Sequence, residues 1–139
     1  MMVHGIGIDI VDIDRISASI ERLGDAFLNR IFTADEITYC QSMGNNAARH
    51  FAARFAAKEA ISKSLGTGIA GDVSWVEMEI ARNGETGQPS VQLHGGTAAY
   101  VESRGIRQIQ ISLTHTDSAA AASAVAIGDL PVAVEPTSP

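Results

Sequence analysis

Apolar and polar residues alternate from Val3 to Ile13. Ile6, Ile8 and Ile10 fall on one face of a strand, and Gly5, Gly7 and Asp9 on the other. After it the spacing turns helical. Asp14 can cap a helix through Arg15, Ile16, Ile20 and Leu23, with Gly24 as its stop. Thr33-Ala34-Asp35-Glu36 has the form of a capping box and predicts a short helix to about Met43, followed by a turn at Gly44-Asn45-Asn46. The longest predicted helix, rich in alanine, runs from about Ala47 to Leu65 and stops at Gly66.

The second half of the chain reads as strands. Val73 to Ala81 alternates, Asn83 to Gly87 has turn composition, and Pro89 to His94 completes a hairpin. A short helix is predicted over Gly96 to Arg104. It is followed by a strand from Gln108 to Thr116, with Ile109, Ile111, Leu113 and His115 on one face. Ala119 to Ile127 is apolar at both phases of the alternation, as expected of a strand covered on both sides. Helices followed by antiparallel hairpins predict an α+β fold, an antiparallel sheet with the long helix packed on it. One domain is expected over residues 1–130. Residues 131–139, with three prolines, are expected to form a disordered C-terminal tail.

Composition narrows the class. Of the 139 residues, 45 % are hydrophobic and only 5 % aromatic, so the core is expected to rest on small and branched aliphatics. Cys40 is the sole cysteine, which rules out an internal disulfide and fits a reducing compartment. It lies on a predicted helix without basic neighbours and reads as inert. The start of the chain lacks a charged and apolar leader pattern, and the longest apolar run falls short of the ~20 residues of a membrane helix. A soluble, cytoplasmic protein is expected, with no membrane partner. A net charge of −6 argues against a nucleic-acid surface.

Three fragments carry candidate chemistry. In GIGID, residues 5 to 9, two glycines share a strand face with Asp9 and leave room for something bulky beside it. Taken alone, Asp9 reads first as an edge or turn aspartate facing water. In RFAAKEAISKSLGTG, residues 54 to 68, Glu59 and Lys63 are one helical turn apart in a sector lined by Ala52 and Ala56. Phe51, Phe55 and Leu65 are set to anchor the helix. The pair reads either as a ligand-facing site or as a solvated ion pair. The glycines after the helix are able to bring backbone amides to a phosphate. In ISLTHT, residues 111 to 116, His115 ends an apolar strand face, where a histidine is often structural.

GIGIDIVDIDRI, FTADE, RFAAKEAISKSLGTG and ISLTHT, in this order and spacing, resemble the holo-acyl-carrier-protein synthase family of phosphopantetheinyl transferases, from residue 3 to about 127. The resemblance implies the 4′-phosphopantetheinyl transferase fold. It also implies magnesium-dependent transfer of the 4′-phosphopantetheine arm of coenzyme A to a serine of an acyl carrier protein, in support of fatty acid biosynthesis. Asp9 and Glu59 match the magnesium ligands, and Lys63 matches a lysine that contacts the phosphates. Asp9, Glu59 and Lys63 are thus the implied catalytic set. The base that takes the serine proton is left open between Glu59 and a metal-bound water. Arg54, Lys63, Gly66, Thr67, Gly68, Pro89 and His115 match positions that border coenzyme A. Arg15 and Arg22 match docking positions for the acidic carrier, and seven residues' spacing puts them on nearly one helix face.

The resemblance further implies a homotrimer with coenzyme A bound between subunits. One departure stands out. Some relatives carry basic residues for the 3′-phosphate in the turn before the long helix, where this chain has Asn45 and Asn46, with Arg49 and His50 slightly later. The competing class is a non-catalytic coenzyme A- or nucleotide-binding trimeric module, against which the intact Asp9, Glu59, Lys63 and His115 argue.

Overall fold

The structure is a computed structural model that describes residues 1–130; the expected tail, 131–139, lies outside the described residues. Strand β1 (Met2–Asp12) runs into helix α1 (Ile13–Leu23), followed by α2 (Asp25–Ile31), α3 (Ala34–Gln41) and the long α4 (Ala47–Ser64). A hairpin of β2 (Met78–Arg82) and β3 (Pro89–Leu93) comes next, then α5 (Gly95–Ser103), β4 (Ile106–His115) and β5 (Ala119–Gly128). The strands make two antiparallel sheets, one ordered β1-β5-β4 and the other the β2-β3 hairpin. The α+β expectation holds, with α4 lying across the inner face of the larger sheet.

Close approach of α4 to that sheet explains the sequence of β1 and β5. A Cβ on Gly7 would run into the Ala60 carbonyl and come within 2.9 Å of Lys63 Cβ, and one on Gly5 would meet the Ser64 carbonyl. The bulky neighbour for which the glycines make room is therefore the helix itself. β5 meets the same helix with Ala120, Ala122, Ala124 and Ala126, all buried. α4 answers with Ala52, Ala56, Ala57 and Ala60, each without exposed surface. Small side chains on both partners let a helix and a sheet pack backbone to backbone at interior density.

The outer face of the sheet is apolar and open to solvent. Ile6, Ile8 and Ile10 are 73, 71 and 72 % exposed, because the glycine face of β1 is the one that faces α4. β5 was expected to be covered on both sides. Within the chain its outer residues Ala121, Ser123, Val125 and Ile127 are only half-buried. Their register partners Ile10, Ile8, Ile6 and Val3 extend one apolar surface across both strands.

Local differences have local causes. α1 begins at Ile13, and Asp14 sits in its first turn instead of capping it. Gly24, at φ 59°, both ends α1 and starts α2, a seven-residue helix absent from the sequence expectation. The capping box at Thr33 is present: Glu36 N donates to Thr33 Oγ1 (3.2 Å) and Thr33 N to Glu36 Oε1 (2.9 Å). The predicted strand from Val73 starts only at Met78, because Trp75–Glu77 forms a turn of 3-10 helix.

Candidate active site

β1 delivers Asp9 to the side of α4 on which Glu59 and Lys63 stand one turn apart. Lys63 Nζ donates to Asp9 Oδ1 (3.1 Å) and to the Ile8 carbonyl (3.0 Å). Asp9, Arg15, Phe27, Phe55, Glu59 and Lys63 line one cleft of about 360 Å³ between β1, α1 and α4. Burial raises the pKa of Glu59, the Asp9 carboxylate raises it further, and Lys63 works in the opposite direction. Two carboxylates, Asp9 and Glu59, thus share the cleft with two cations, Lys63 and Arg15.

A cation fits this donor set in a specific way. No three of His, Cys, Asp or Glu cluster among the described residues, so a ready-made protein cage is absent there. Two hard carboxylates are what magnesium uses when water and substrate phosphate oxygens complete its shell. Two carboxylates about 4 Å apart repel by about 4 kcal/mol at an intermediate effective dielectric, and a divalent ion between them removes that cost.

Arg54, Pro89 and His115 gather elsewhere. With Tyr39, His50 and Arg82 they line a second cleft, of about 240 Å³, between α4, the β2-β3 hairpin and the end of β4. Arg54 and Glu59 are five residues apart on α4, about 140° around the helix axis. The two groups of site residues therefore open on different sides of the chain. Arg54 is only 5 % exposed; its guanidinium stacks on the Tyr39 ring at 4.4 Å, and its Nε has no hydrogen-bond partner.

Gly66, Thr67 and Gly68 line neither cleft. Their amides were expected to be available to a phosphate, but they turn back on α4. Gly66 N donates to the Lys63 carbonyl, and Thr67 N and Gly68 N to that of Ser62. Positive φ at Gly66 (77°) and Gly68 (64°) makes this helix ending possible. Arg22 stands exposed in the last turn of α1, with Arg15 two turns earlier at the rim of the Asp9 cleft. Cys40 is buried and burial lifts its thiol to about 11, in keeping with an inert residue.

Sequence reasoning missed several residues around the two clefts. Phe55, expected as an anchor, is half-buried: it packs against the core and also walls the first cleft, and its ring meets Trp75 at 4.9 Å. Lys58, next to Glu59, points into the core and pairs with Glu36. Tyr39 and Arg82 come to the second cleft from separate elements and join His50, which the sequence had placed only near the start of the long helix. Only the capping box gave a local signal for any of these partners, at Glu36.

Comparison with known proteins identifies the family. The sequence model of the 4′-phosphopantetheinyl transferase superfamily matches residues 5–125. A holo-[acyl-carrier-protein] synthase of Koribacter versatilis is 48 % identical over 124 residues, covering 89 % of this chain and 98 % of the relative. The chain belongs to the holo-[acyl-carrier-protein] synthase family. The family's solved structures share its fold. The holo-[acyl-carrier-protein] synthase of Neisseria meningitidis superposes with a TM-score of 0.84 at 34 % identity, covering 91 % of this chain and 99 % of that one. That of Helicobacter pylori, solved in complex with coenzyme A, gives 0.77 at 31 % identity, covering 88 % and 99 %.

Proposed function

We propose that this chain transfers the 4′-phosphopantetheine arm of coenzyme A to a serine of an apo-acyl carrier protein, giving the holo-carrier and adenosine 3′,5′-bisphosphate. The observation that carries this reading is the shared cleft of Asp9, Glu59 and Lys63. A bond forms from the serine oxygen to the phosphorus on the pantetheine side of the pyrophosphate. The bond from that phosphorus to the bridging oxygen breaks, and the serine proton is lost. Such a reaction needs positioning and charge neutralisation more than covalent help from the protein.

Asp9 and Glu59 would hold magnesium, which when bound supplies positive charge to the diphosphate oxygens. Lys63 moves from Asp9 toward the phosphates, an ammonium placed where negative charge grows. Phe27 and Phe55 wall the cleft and limit water. Arg15, at the rim, and Arg22 beyond it offer positive charge to an acidic carrier delivering its serine.

Two observations support a homotrimer with sites between subunits as part of this reading. The outer face of β1 presents Ile6, Ile8 and Ile10 to solvent, an apolar stripe that a monomer rarely leaves uncovered. The Asp9 cleft and the Arg54 cleft face different ways in one chain, so a neighbouring copy is needed to bring one of each together across a single coenzyme A. A cytoplasmic place and a role in fatty acid biosynthesis belong to the same reading; no helix among the described residues is long and apolar enough to cross a membrane.

Incubation of an apo-acyl carrier protein with the chain, coenzyme A and magnesium tests the reading. The carrier's intact mass should rise by one phosphopantetheine and stay unchanged when magnesium is chelated. An unmodified carrier under full magnesium would overturn it.

A further inference from the structure

Lys63 pairs across elements instead of along its own helix. Glu59 stands one turn before it on α4, at the spacing of a helical ion pair. The ammonium nevertheless reaches over to β1, where Asp9 Oδ1 (3.1 Å) and the Ile8 carbonyl (3.0 Å) accept from it. Asp9 is thereby engaged, while Glu59, in the same cleft, makes no ion pair among the described residues. Arg15 lines the cleft as well but pairs with neither carboxylate there.

The root and the head of the lysine are held differently. A Cβ on Gly7 would come within 2.9 Å of Lys63 Cβ, so the root of the stem is packed against β1. The whole side chain is nevertheless 51 % exposed, against 19 % for that of Asp9. Rotation about the stem is enough to carry the ammonium off Asp9, with helix and strand staying where they are. An ion pair this exposed is weak and exchanges readily for a better anion. A diphosphate is such an anion, since an ammonium serves phosphate as a compact point charge.

We propose that Lys63 is an internal counter-ion of Asp9 that gates the metal position: the chain takes a divalent cation weakly on its own, and tightly once a diphosphate has drawn the ammonium away. The inference rests on the transferase reading, in which Asp9 and Glu59 hold the cation and coenzyme A brings the diphosphate. Ammonium and cation compete for one carboxylate, and side by side they repel. A diphosphate gives the ammonium a partner of its own and frees Asp9 to join Glu59 around the cation. The effect is reciprocal, because the factor by which coenzyme A tightens the cation is the factor by which the cation tightens coenzyme A. Part of that factor comes from phosphate oxygens on the cation itself. The part carried by Lys63 is the one that a change at this residue removes.

The test is binding of manganese, which takes the same oxygen ligands as magnesium and is counted by electron paramagnetic resonance. It is measured on the full chain alone and on its complex with coenzyme A, with binding by coenzyme A itself subtracted. Transfer to an apo-carrier under magnesium is measured alongside. Lys63→Met keeps the packing beside Gly7 and the length of the stem. It should tighten manganese about five- to tenfold on the chain alone and by no more than about twofold on the complex. Lys63→Arg, whose charge still reaches Asp9, should stay within about twofold of wild type in both states. Equal tightening by Lys63→Met in both states would reduce the lysine to background charge, and no tightening on the chain alone would show that it does not compete for Asp9. Either result overturns the gate. The two readings fail separately. A wild type that modifies no carrier sinks the transferase, and unequal tightening by Lys63→Met then still keeps the gate. Active transfer by a wild type whose Lys63→Met variant binds manganese no differently does the reverse.

Discussion

Lys58 Nζ lies 2.7 Å from Glu36 Oε1, with both side chains sealed from solvent, while the next residue along α4, Glu59, opens onto the Asp9 cleft. The ammonium also donates to the Ile31 carbonyl (2.7 Å) and the Trp75 carbonyl (3.0 Å), so all its protons are used. Glu36 in turn accepts from Thr33 N and Ile80 N. One ion pair therefore ties α2, α3, α4 and β2 together beneath the site, even though burial pulls the lysine's pKa down.

Removing one member of that pair strands the other. Lys58→Met should cost about 3–5 kcal/mol of folding stability, since the Glu36 carboxylate loses its partner without regaining water. Adding Glu36→Leu should recover part of the loss, giving a coupling energy of at least about 1 kcal/mol in a double-mutant cycle by denaturant unfolding. Strictly additive effects would mean that the pair is not coupled.

Gly7 makes a contrasting demand, because it needs no unusual backbone dihedral. What it needs is the space that the Ala60 carbonyl occupies. Gly7→Ala should cost about 1–3 kcal/mol by overpacking and push β1, with Asp9 two residues on, away from α4. Gly84→Ala, with no atom within 4 Å of its added methyl, is the matched control and should be near neutral. Equal thermal shifts for the two variants would remove the close-approach argument.

What the sequence disclosed and what it hid follow from the same physics. The capping box at Thr33, the helix ending at Gly66 and the alternation of β1 are local, so their residues lie within one turn or one strand and could be read directly. The convergence of Asp9 and Glu59 was legible only through the family's motifs, for they are fifty residues apart. Lys58 with Glu36, and Tyr39 with Arg82, are non-local pairs with no spacing rule. The outward isoleucines were hidden for another reason: alternation tells that β1 has two faces, while the choice between them was made by α4, which tolerates only glycine beside its carbonyls.

The isoleucine stripe should prove to be an interface. Ile8→Glu places a charge at its centre, and the variant should sediment as a single folded chain where wild type sediments as three. Transfer should fall at least about tenfold if coenzyme A is held by two copies, as proposed, since dissociation then removes one set of contacts. An Ile8→Glu protein of unchanged mass would show that the stripe is not where copies meet.

Arg22 offers a clean probe of the proposed carrier surface, because Arg15 borders the Asp9 cleft and Arg22 does not. Arg22→Glu should raise KM for the carrier by about five- to tenfold and leave KM for coenzyme A unchanged. The wild-type KM for the carrier should rise with salt, and the variant's dependence should be shallower, as screening predicts for a steered encounter. If both Michaelis constants moved together, the docking role of α1 would fall.

Glu59 should trade stability for function. In the metal-free chain its folded pKa lies above the ordinary 4.5, so between those values the folded state binds more protons than the unfolded one. Stability therefore declines as pH rises through that window, and at neutral pH the ionised side chain opposes folding. Glu59→Gln should melt at or above the wild-type temperature without metal. Millimolar magnesium should raise the Tm of wild type and not that of Glu59→Gln, and transfer should drop on the order of 10²–10³-fold. Asp9→Asn should likewise lose the magnesium response. A Glu59→Gln protein that magnesium still stabilises as much as wild type would take this carboxylate out of the metal site.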